Sequence, residues 1–163
     1  TGLHIPDFRS GERTFQLICQ VAGRAGRGSA PGKVVIQTYS PMNYAIQAAS
    51  LQDYSQLYQK EIEYRREHGN PPYGRLIHMI YTHIDESVCR SEAARFAQML
   101  RSVAFGQGLV DVSVVGPAPA HPQKLRGRSR WHMILKGREP QTLLENVTIP
   151  RGWTTDIDPV TVL

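Results

Sequence analysis

Two adjacent prolines divide this chain into two differently patterned parts. The segment GNPPYG, residues 69–74, cannot lie inside a helix, because proline lacks an amide donor and restricts the residue before it. Before this segment, apolar residues recur mainly at helical spacing. After it, strand-like runs alternate with helical ones. We therefore place a domain boundary here, with residues 1–69 in one domain and residues 70–163 in another.

The first part is predicted to contain two helices separated by a strand. A helix over residues 11–22 has one apolar stripe, formed by Phe15, Ile18, Cys19 and Ala22. The run KVVIQTY, residues 33–39, predicts a buried strand. A second helix is predicted over residues 42–66 from the three- and four-residue spacing of Leu51, Tyr54, Tyr58 and Ile62.

The second part has the element order β-α-β-β-α-β. Strands are predicted at residues 75–84, 110–116, 131–136 and 153–158. Helices are predicted at residues 86–104 and 139–146, and a long loop at residues 117–130. This order is that of a split βαβ, ferredoxin-like domain, in which two helices cover one face of a sheet.

Charge and cysteine content narrow the class of protein. The 163 residues carry 19 Lys plus Arg against 14 Asp plus Glu, a net charge of +5 that favours polyanionic partners. The two cysteines are far apart and outside any CxxC pair, which favours a reducing, intracellular compartment. Neither a membrane-spanning run nor a signal-peptide pattern is present, and the chain lacks an initiator Met. We therefore expect this chain to be part of a longer, cytoplasmic bacterial protein.

The glycine-rich segment QVAGRAGRG, residues 20–28, is the strongest candidate for chemistry. Its G-x-x-G-x-G spacing reverses the dinucleotide fingerprint, no strand precedes it, and no Walker A pattern occurs in the chain. Two interpretations remain: a helix that ends in glycine with solvated arginines, or arginines that serve a phosphate held elsewhere. Arg24 and Arg27 can face one side of the last helical turn and stabilise charge on a transferred γ-phosphoryl group.

The stretch PDFRSGERTFQLICQVAGRAGRG, residues 6–28, resembles motif VI of the superfamily 2 helicases. The neighbouring PGKVVIQTYSP, and the later NPPYGRLI, VVGPAPA, RWHMILK and DIDP, extend the resemblance over nearly the whole chain. They narrow it to the primosomal protein N′ family of replication-restart DNA helicases. The resemblance implies the C-terminal part of a RecA-like helicase lobe over residues 1–69 and a ferredoxin-like C-terminal domain over residues 70–163.

The resemblance also implies roles for individual residues. Gln20, Gly23 and Gly26 would line an ATP cleft between two lobes, and Arg24 and Arg27 would contact phosphate in trans. The full-length helicase would use ATP and Mg²⁺ to move 3′→5′ in replication restart and primosome assembly. In the family, zinc is bound outside this region. The Walker A lysine, the DEAH-type motif and the cysteine-rich insertion are absent from this sequence, so we expect no ATP hydrolysis by this chain alone and predict no metal site in it.

The stretch HPQKLRGRSRW, residues 121–131, concentrates positive charge. It contains four cations and no acid: Lys124, Arg126, Arg128 and Arg130. Alternate cations on an extended loop can follow a phosphate backbone, and an adjacent aromatic such as Trp131 can stack on a base. The alternative is a solvated loop with the Trp131 ring in the core, because Trp131, Met133 and Leu135 share one strand face.

The resemblance implies that the C-terminal domain contacts forked and single-stranded DNA, single-stranded DNA-binding protein and other primosome proteins, and no membrane. Two alternatives stay open. One is an isolated, non-catalytic DNA- or protein-binding module. The other is a helicase-like remnant in which motif VI has become structural.

Two smaller residue pairs each allow two interpretations. Tyr73 and Arg75, in NPPYGRLI, are a candidate stacking pair or part of a stiff interdomain joint. Asp156 and Asp158 are candidate cation ligands, or they close off an edge strand before Pro159.

Overall fold

The computed structural model describes residues 7–25 and 32–162. These residues form two compact units: one is Phe8–Glu67, and the other contains Asp7 and the residues from His68 onwards. The described part of the N-terminal unit is helical, and the sheet belongs to the C-terminal unit.

Three helices build the N-terminal unit: α1 (Ser10–Ala25), α2 (Tyr44–Leu51) and α3 (Tyr54–Glu67). Helix α1 confirms the helix predicted over residues 11–22 and extends beyond it at both ends. The apolar stripe of α1 faces the other two helices, and the buried residues of the core cluster they form are Phe15, Ala45, Ala48, Ala49 and Leu57. Burial of this small core is what brings three short helices together.

The single helix predicted over residues 42–66 is wrong, because the chain breaks it at Gln52 and Asp53. Gln52 adopts a left-handed conformation with φ 53°, and its amide donates to the Ala49 carbonyl at 3.1 Å. Helix α3 then starts with the Asp53 carboxylate, which accepts from the Gln56 amide at 3.0 Å. An aspartate that satisfies a free amide favours a new helix start, a signal that apolar spacing does not contain.

Residues 33–39 do not form the predicted buried strand in this chain. Residues 32–39 form no strand, and Val34, Val35 and Ile36 are 37%, 82% and 37% exposed. A strand needs a neighbouring strand to satisfy its main-chain groups, and the described part of the N-terminal unit contains none. The RecA-like lobe inferred for residues 1–69 therefore stays a prediction.

The C-terminal unit is a four-stranded antiparallel sheet with one long helix against it. Its elements are β1 (Arg75–His83), α4 (Glu86–Gly106), β2 (Ser113–Leu125), β3 (Arg128–Gly137) and β4 (Trp153–Ile157). The strands lie in the order β2-β3-β1-β4, and every neighbouring pair is antiparallel. This is the strand order of a split βαβ layout, so the α+β part of the predicted fold class is confirmed.

The second helix of the predicted ferredoxin-like layout is reduced to a single 3₁₀ turn, Pro140–Leu143. The helix predicted over residues 139–146 is wrong because this stretch has only Leu143 and Leu144 to form an apolar stripe. Helix α4, by contrast, buries six side chains: Cys89, Ala93, Phe96, Ala97, Leu100 and Ala104. Leu143 is nevertheless fully buried, so the short turn still contributes to the core.

The loop predicted over residues 117–130 is also wrong, because strands occupy most of it. Strand β2 continues to Leu125 and β3 begins at Arg128, which makes a tight hairpin. The stretch contains three residues that cannot donate to a ladder: Pro117, Pro119 and Pro122. β2 is an edge strand, so one of its sides has no ladder to interrupt and the prolines are tolerated.

Candidate functional site

Two side chains predicted to face ATP lie at the C-terminal end of α1. Gln20 and Arg24 are four residues apart in the helix and therefore on the same side. Both are exposed, and neither has a partner among the described residues. The Arg24 guanidinium is thus available to a phosphate that comes from outside this unit.

The glycines and the second arginine of the same motif are placed less completely. Gly23 lies within α1 instead of ending it, and a Cβ added there would meet nothing within 4 Å. The structure therefore shows open space beside the main chain at this point. Gly26 and Arg27 lie outside the described residues, so their assignment stays a prediction.

A buried polar network packs the N-terminal end of α1 against α2 and α3. Glu61, which is 7% exposed, accepts from the Tyr44 hydroxyl at 2.6 Å and from Arg65 Nε at 2.9 Å. Arg65 also donates to Glu12 of α1 at 3.2 Å. Burial, together with the Glu61 carboxylate, raises the pKa of Tyr44, so its hydroxyl keeps the proton that it donates. This network was not predicted from the sequence, although Glu61 and Arg65 stand at helical i,i+4 spacing.

Gly11 makes the approach of α2 and α3 to α1 possible. A Cβ added at Gly11 would lie 2.9 Å from Glu61 Oε2 and against the Tyr44 hydroxyl. Because a Cβ at these distances would displace the Tyr44 hydroxyl and the Glu61 carboxylate, glycine allows this network to form around the start of α1.

The four cations predicted to bind DNA lie at the end of the β2–β3 hairpin, which we call the hairpin tip (Lys124–Arg130). The register pairs Lys124 with Ser129 and Leu125 with Arg128. The two residues between them, Arg126 and Gly127, have φ values of 50° and 75°. Two consecutive positive φ angles are typical of the tight two-residue turn whose twist matches that of the flanking strands. Three of the cations therefore lie on paired strands and Arg126 lies in the tight turn that joins them.

Contacts distinguish the four cations of the hairpin tip from one another. Lys124 Nζ lies 3.5 Å from a carboxylate oxygen of Glu86 on α4, and Arg130 Nη1 donates to a main-chain carbonyl of β2 at 3.1 Å. Arg126 and Arg128 are exposed and have no partner among the described residues. Exposed ion pairs contribute little stability, so Lys124 can exchange Glu86 for another anion. Two cations are thus unpaired and a third is weakly paired.

The Trp131 side chain lies at the base of the same hairpin. It is partly buried and packs against the core cluster, to which Met133 and Leu135 of the same strand face also belong. This placement supports the alternative in which the ring is structural. It leaves base stacking by Trp131 without support from the geometry.

Each of the two aspartates, Asp156 and Asp158, has a different neighbour in the structure. Arg75 Nε donates to both carboxylate oxygens of Asp158, at 3.1 and 3.2 Å, and these hydrogen bonds lower the pKa of Asp158. Asp156 instead lies opposite His78 in the β1–β4 ladder. The two aspartates therefore do not converge on one cation site. Within residues 7–25 and 32–162, no cluster of three or more His, Cys, Asp or Glu is arranged to hold a metal ion.

A buried histidine pair on the sheet was not foreseen from the sequence. His78 Nε2 and His132 Nδ1 are 2.8 Å apart, and the two residues are 4% and 3% exposed. Burial lowers the pKa of His78, and the positive charge of Arg130 lowers it further. The negative charge of Asp156 acts in the opposite direction, but the net shift of the pKa is downward. The pair forms because β1 and β3 are neighbours in the sheet, which sequence spacing does not show.

The sequence of residues 66–160 matches the family profile described as the primosomal protein N C-terminal domain, PriA_C. The chain belongs to the PriA family. The replication restart protein PriA of Bacillus subtilis is 38% identical over 143 residues, which are 88% of this chain and 17% of that protein. The PriA of Treponema pallidum is 34% identical over 172 aligned residues, which cover 100% of this chain and 26% of that protein. The PriA of Chlamydia pneumoniae is 49% identical over 81 residues, 50% of this chain and 11% of that protein.

The chain thus spans between 11% and 26% of the length of these three PriA proteins. The alignment with the Treponema pallidum PriA includes both units, so α1 and the hairpin tip both lie inside the matched region. The family resemblance inferred from the sequence motifs is confirmed. In the part of the chain that the structure describes, none of the helices combines the length and apolar character needed to cross a membrane.

Proposed function

We propose that this chain is the C-terminal part of an ATP-dependent 3′→5′ DNA helicase that acts in replication restart and primosome assembly. The observation that carries the proposal is the match of the whole chain to proteins named for replication restart. The exposed arginine at the end of α1 and the unpaired cations of the hairpin tip support it.

In this proposal the C-terminal end of α1 faces a nucleotide bound between two lobes of the full-length protein. Arg24 and Arg27 place positive charge beside the γ-phosphoryl group, and Gln20 lies on the same helical face as Arg24. The open space beside Gly23 fits close approach of a ligand to the main chain. ATP with Mg²⁺ supplies the phosphoryl group for transfer to water, and the acidic residues that hold Mg²⁺ come from segments outside this sequence.

The apolar run Val34–Ile36 supports a larger lobe around the N-terminal unit. Val35 is 82% exposed, although three consecutive β-branched residues are typical of a buried strand. In the full-length protein, residues 33–39 would pair with strands of a RecA-like lobe that the preceding part of the chain supplies. Burial of this run there would remove an apolar surface that the N-terminal unit leaves exposed.

The test is Arg24→Ala in the full-length protein, with DNA-stimulated ATP hydrolysis as the measurement. Loss of an arginine that stabilises the transferred phosphoryl group lowers kcat about 10³–10⁵-fold. Arg138→Ala removes an exposed arginine of the C-terminal unit and serves as the matched control, with kcat unchanged. Unchanged ATP hydrolysis in the Arg24 variant would contradict the proposal and favour a helicase-like remnant in which motif VI is structural.

The hairpin tip carries the second part of the proposed function, which is contact with forked and single-stranded DNA. Its cations also suit an acidic segment of single-stranded DNA-binding protein or of another primosome protein. An isolated DNA- or protein-binding module is the second candidate function, favoured by the unpaired Arg126 and Arg128 in a unit with its own core. That candidate predicts binding by this chain that does not respond to added nucleotide.

A further inference from the structure

The hairpin tip is a narrow, two-stranded ribbon at one end of the sheet. Strand β1 pairs with β3 as far as Ser129, and beyond that point β2 and β3 pair with each other at Leu125 and Arg128. Two residues of strand extend about 7 Å, to which the long side chain of Arg126 at the turn is added. The positive φ angles at the turn fix this shape before any partner binds.

Positive charge lies on both faces of this ribbon and at its end. Lys124 shares a face with its cross-strand partner Ser129, on the side of α4, as its contact with Glu86 confirms. Arg128 is one residue from Ser129 and therefore lies on the opposite face. Arg126 occupies the turn itself. A single phosphate backbone running along one side would need cations on one face, whereas a groove presents a phosphate backbone to each face of an inserted ribbon.

The hairpin tip has no aromatic side chain on which an unpaired base could stack. Residues 121–130 contain no Phe, Tyr or Trp, and the adjacent Trp131 packs against the core. Sequence-independent binding of single strands relies on stacking of bases on aromatic side chains, at about 1–3 kcal/mol per base. The major groove of B-form DNA, about 12 Å wide and 8.5 Å deep, admits a two-stranded ribbon. A-form RNA has a narrow major groove that side chains do not read.

From these observations we infer that the partner of the hairpin tip is the major groove of B-form duplex DNA. Arg126 and Arg128 contact phosphates, and Lys124 leaves Glu86 to contact the opposite wall. This inference rests on the proposed DNA contact of the C-terminal unit and adds its substrate class: in branched DNA, the hairpin tip binds a duplex arm. It specifies no base sequence, because phosphate contacts position a protein without reading bases.

The experiment is fluorescence anisotropy of the complete chain with three labelled probes: a closed DNA stem-loop, a single strand of the same length and an RNA stem-loop. The tip variant is Arg126→Ala with Arg128→Ala. The matched control is Arg138→Ala with Arg151→Ala, which removes two exposed arginines of the same unit outside the hairpin. A fourth probe tests the groove directly: a DNA stem that contains glucosylated 5-hydroxymethylcytosine, whose glucose groups fill the major groove.

We expect the DNA stem to bind more tightly than the single strand or the RNA stem. Each phosphate contact contributes about 0.9 to the slope of log affinity against log salt. Loss of two contacts therefore flattens the slope by about 1.8. If the two chains bind equally at about 1 M salt, where phosphate contacts contribute nothing, the tip variant binds about 30-fold more weakly at about 150 mM salt. The control variant keeps the slope of the parent chain, and the glucosylated stem binds like the tip variant.

Three results would overturn the inference: equal or tighter binding of the single strand or the RNA stem, a tip variant that binds the DNA stem like the parent chain, or full affinity for the glucosylated stem. Single-strand binding that the tip variant loses would leave the proposed DNA contact intact while removing duplex specificity. No binding to any probe by the folded chain would overturn the DNA contact itself. The experiment therefore distinguishes loss of duplex specificity from absence of the proposed DNA contact.

Discussion

Replacement of Phe96 by alanine tests whether α4 holds the C-terminal sheet through the packing described above. Phe96 is fully buried, and its ring centroid lies 4.9 Å from that of Trp153. Removal of a buried phenylalanine side chain costs about 3–5 kcal/mol, and an aromatic pair accounts for about 0.5–1.5 kcal/mol of such a loss. With a urea slope of roughly 1.3 kcal/mol per M, a loss of about 4 kcal/mol lowers the unfolding midpoint by about 3 M.

Tryptophan fluorescence during urea unfolding is the assay, because both tryptophans, Trp131 and Trp153, lie in the C-terminal unit. Phe105→Ala is the matched control on the same helix: Phe105 is 91% exposed, so we expect a change below about 0.5 kcal/mol. Phe96→Leu keeps most of the apolar volume and is expected between the two, which gives a measurement if the alanine variant does not fold. Equal midpoints for the Phe96 and Phe105 variants would contradict this account of the core.

Two glycines of α1 carry opposite expectations. Gly11→Ala destabilises the N-terminal unit, because the added Cβ meets Tyr44 and Glu61. Gly23→Ala stabilises the helix by about 0.5–1 kcal/mol, because the added Cβ points into open space. Thermal melts followed by far-UV circular dichroism compare the two variants. The C-terminal unit is expected to lose stability as the pH falls below about 6.5, because the unfolded chain binds a proton that buried His78, with its lowered pKa, does not. The loss is about 1.4 kcal/mol per pH unit until the folded-state pKa of His78 is reached, and urea unfolding at several pH values measures it.

The outcomes that contradict these two predictions are distinct. A Gly11→Ala variant as stable as the parent would mean that Tyr44 and Glu61 can move away from α1 at no cost. For the pH dependence, His78→Gln is the control variant, since it removes the titrating ring. A slope that is the same in this variant as in the parent would assign the proton uptake to another group.

Helices were predicted well where one stripe of neighbouring residues determines the element. The stripes of α1 and α4 predicted both helices, because burial of residues three and four apart needs no knowledge of the distant chain. Over residues 42–66, the apolar spacing predicted one helix where the structure has two. There the carboxylate of Asp53 starts a new helix within a continuous apolar pattern, and the capping interaction outweighs the periodicity.

Strand predictions succeeded or failed according to what lay beside each segment. Strands β1, β3 and β4 have partners in the sheet and match their predicted positions to within a few residues. The run at residues 33–39 has strand composition but no partner in the described N-terminal unit, so it forms no strand. Strand β2 is the reverse case, since its prolines disfavour a central strand, yet the edge of the sheet accepts them.

The candidate site likewise combines features that the sequence predicted with features that depend on the fold. Arg24 and the four cations of the hairpin tip were identified from residue type and spacing, and the structure leaves Arg24, Arg126 and Arg128 exposed. The distribution of the tip cations over two faces of a ribbon was not predictable, because it depends on the pairing of Lys124 with Ser129. The contact between Lys124 and Glu86 likewise joins residues far apart in the chain.

The sequence by itself determined the family, the two-part organisation of its patterns, the two amphipathic helices and the concentration of positive charge near residue 128, because these depend on residue identity and local spacing. The tertiary structure decided which strands are neighbours, and through them the hairpin, the partial burial of Trp131 and the contact between His78 and His132. The physical reason is that a strand satisfies its main-chain groups on another strand, often far along the chain. The free energy of that pairing is therefore a property of two segments together, which neither segment reveals alone.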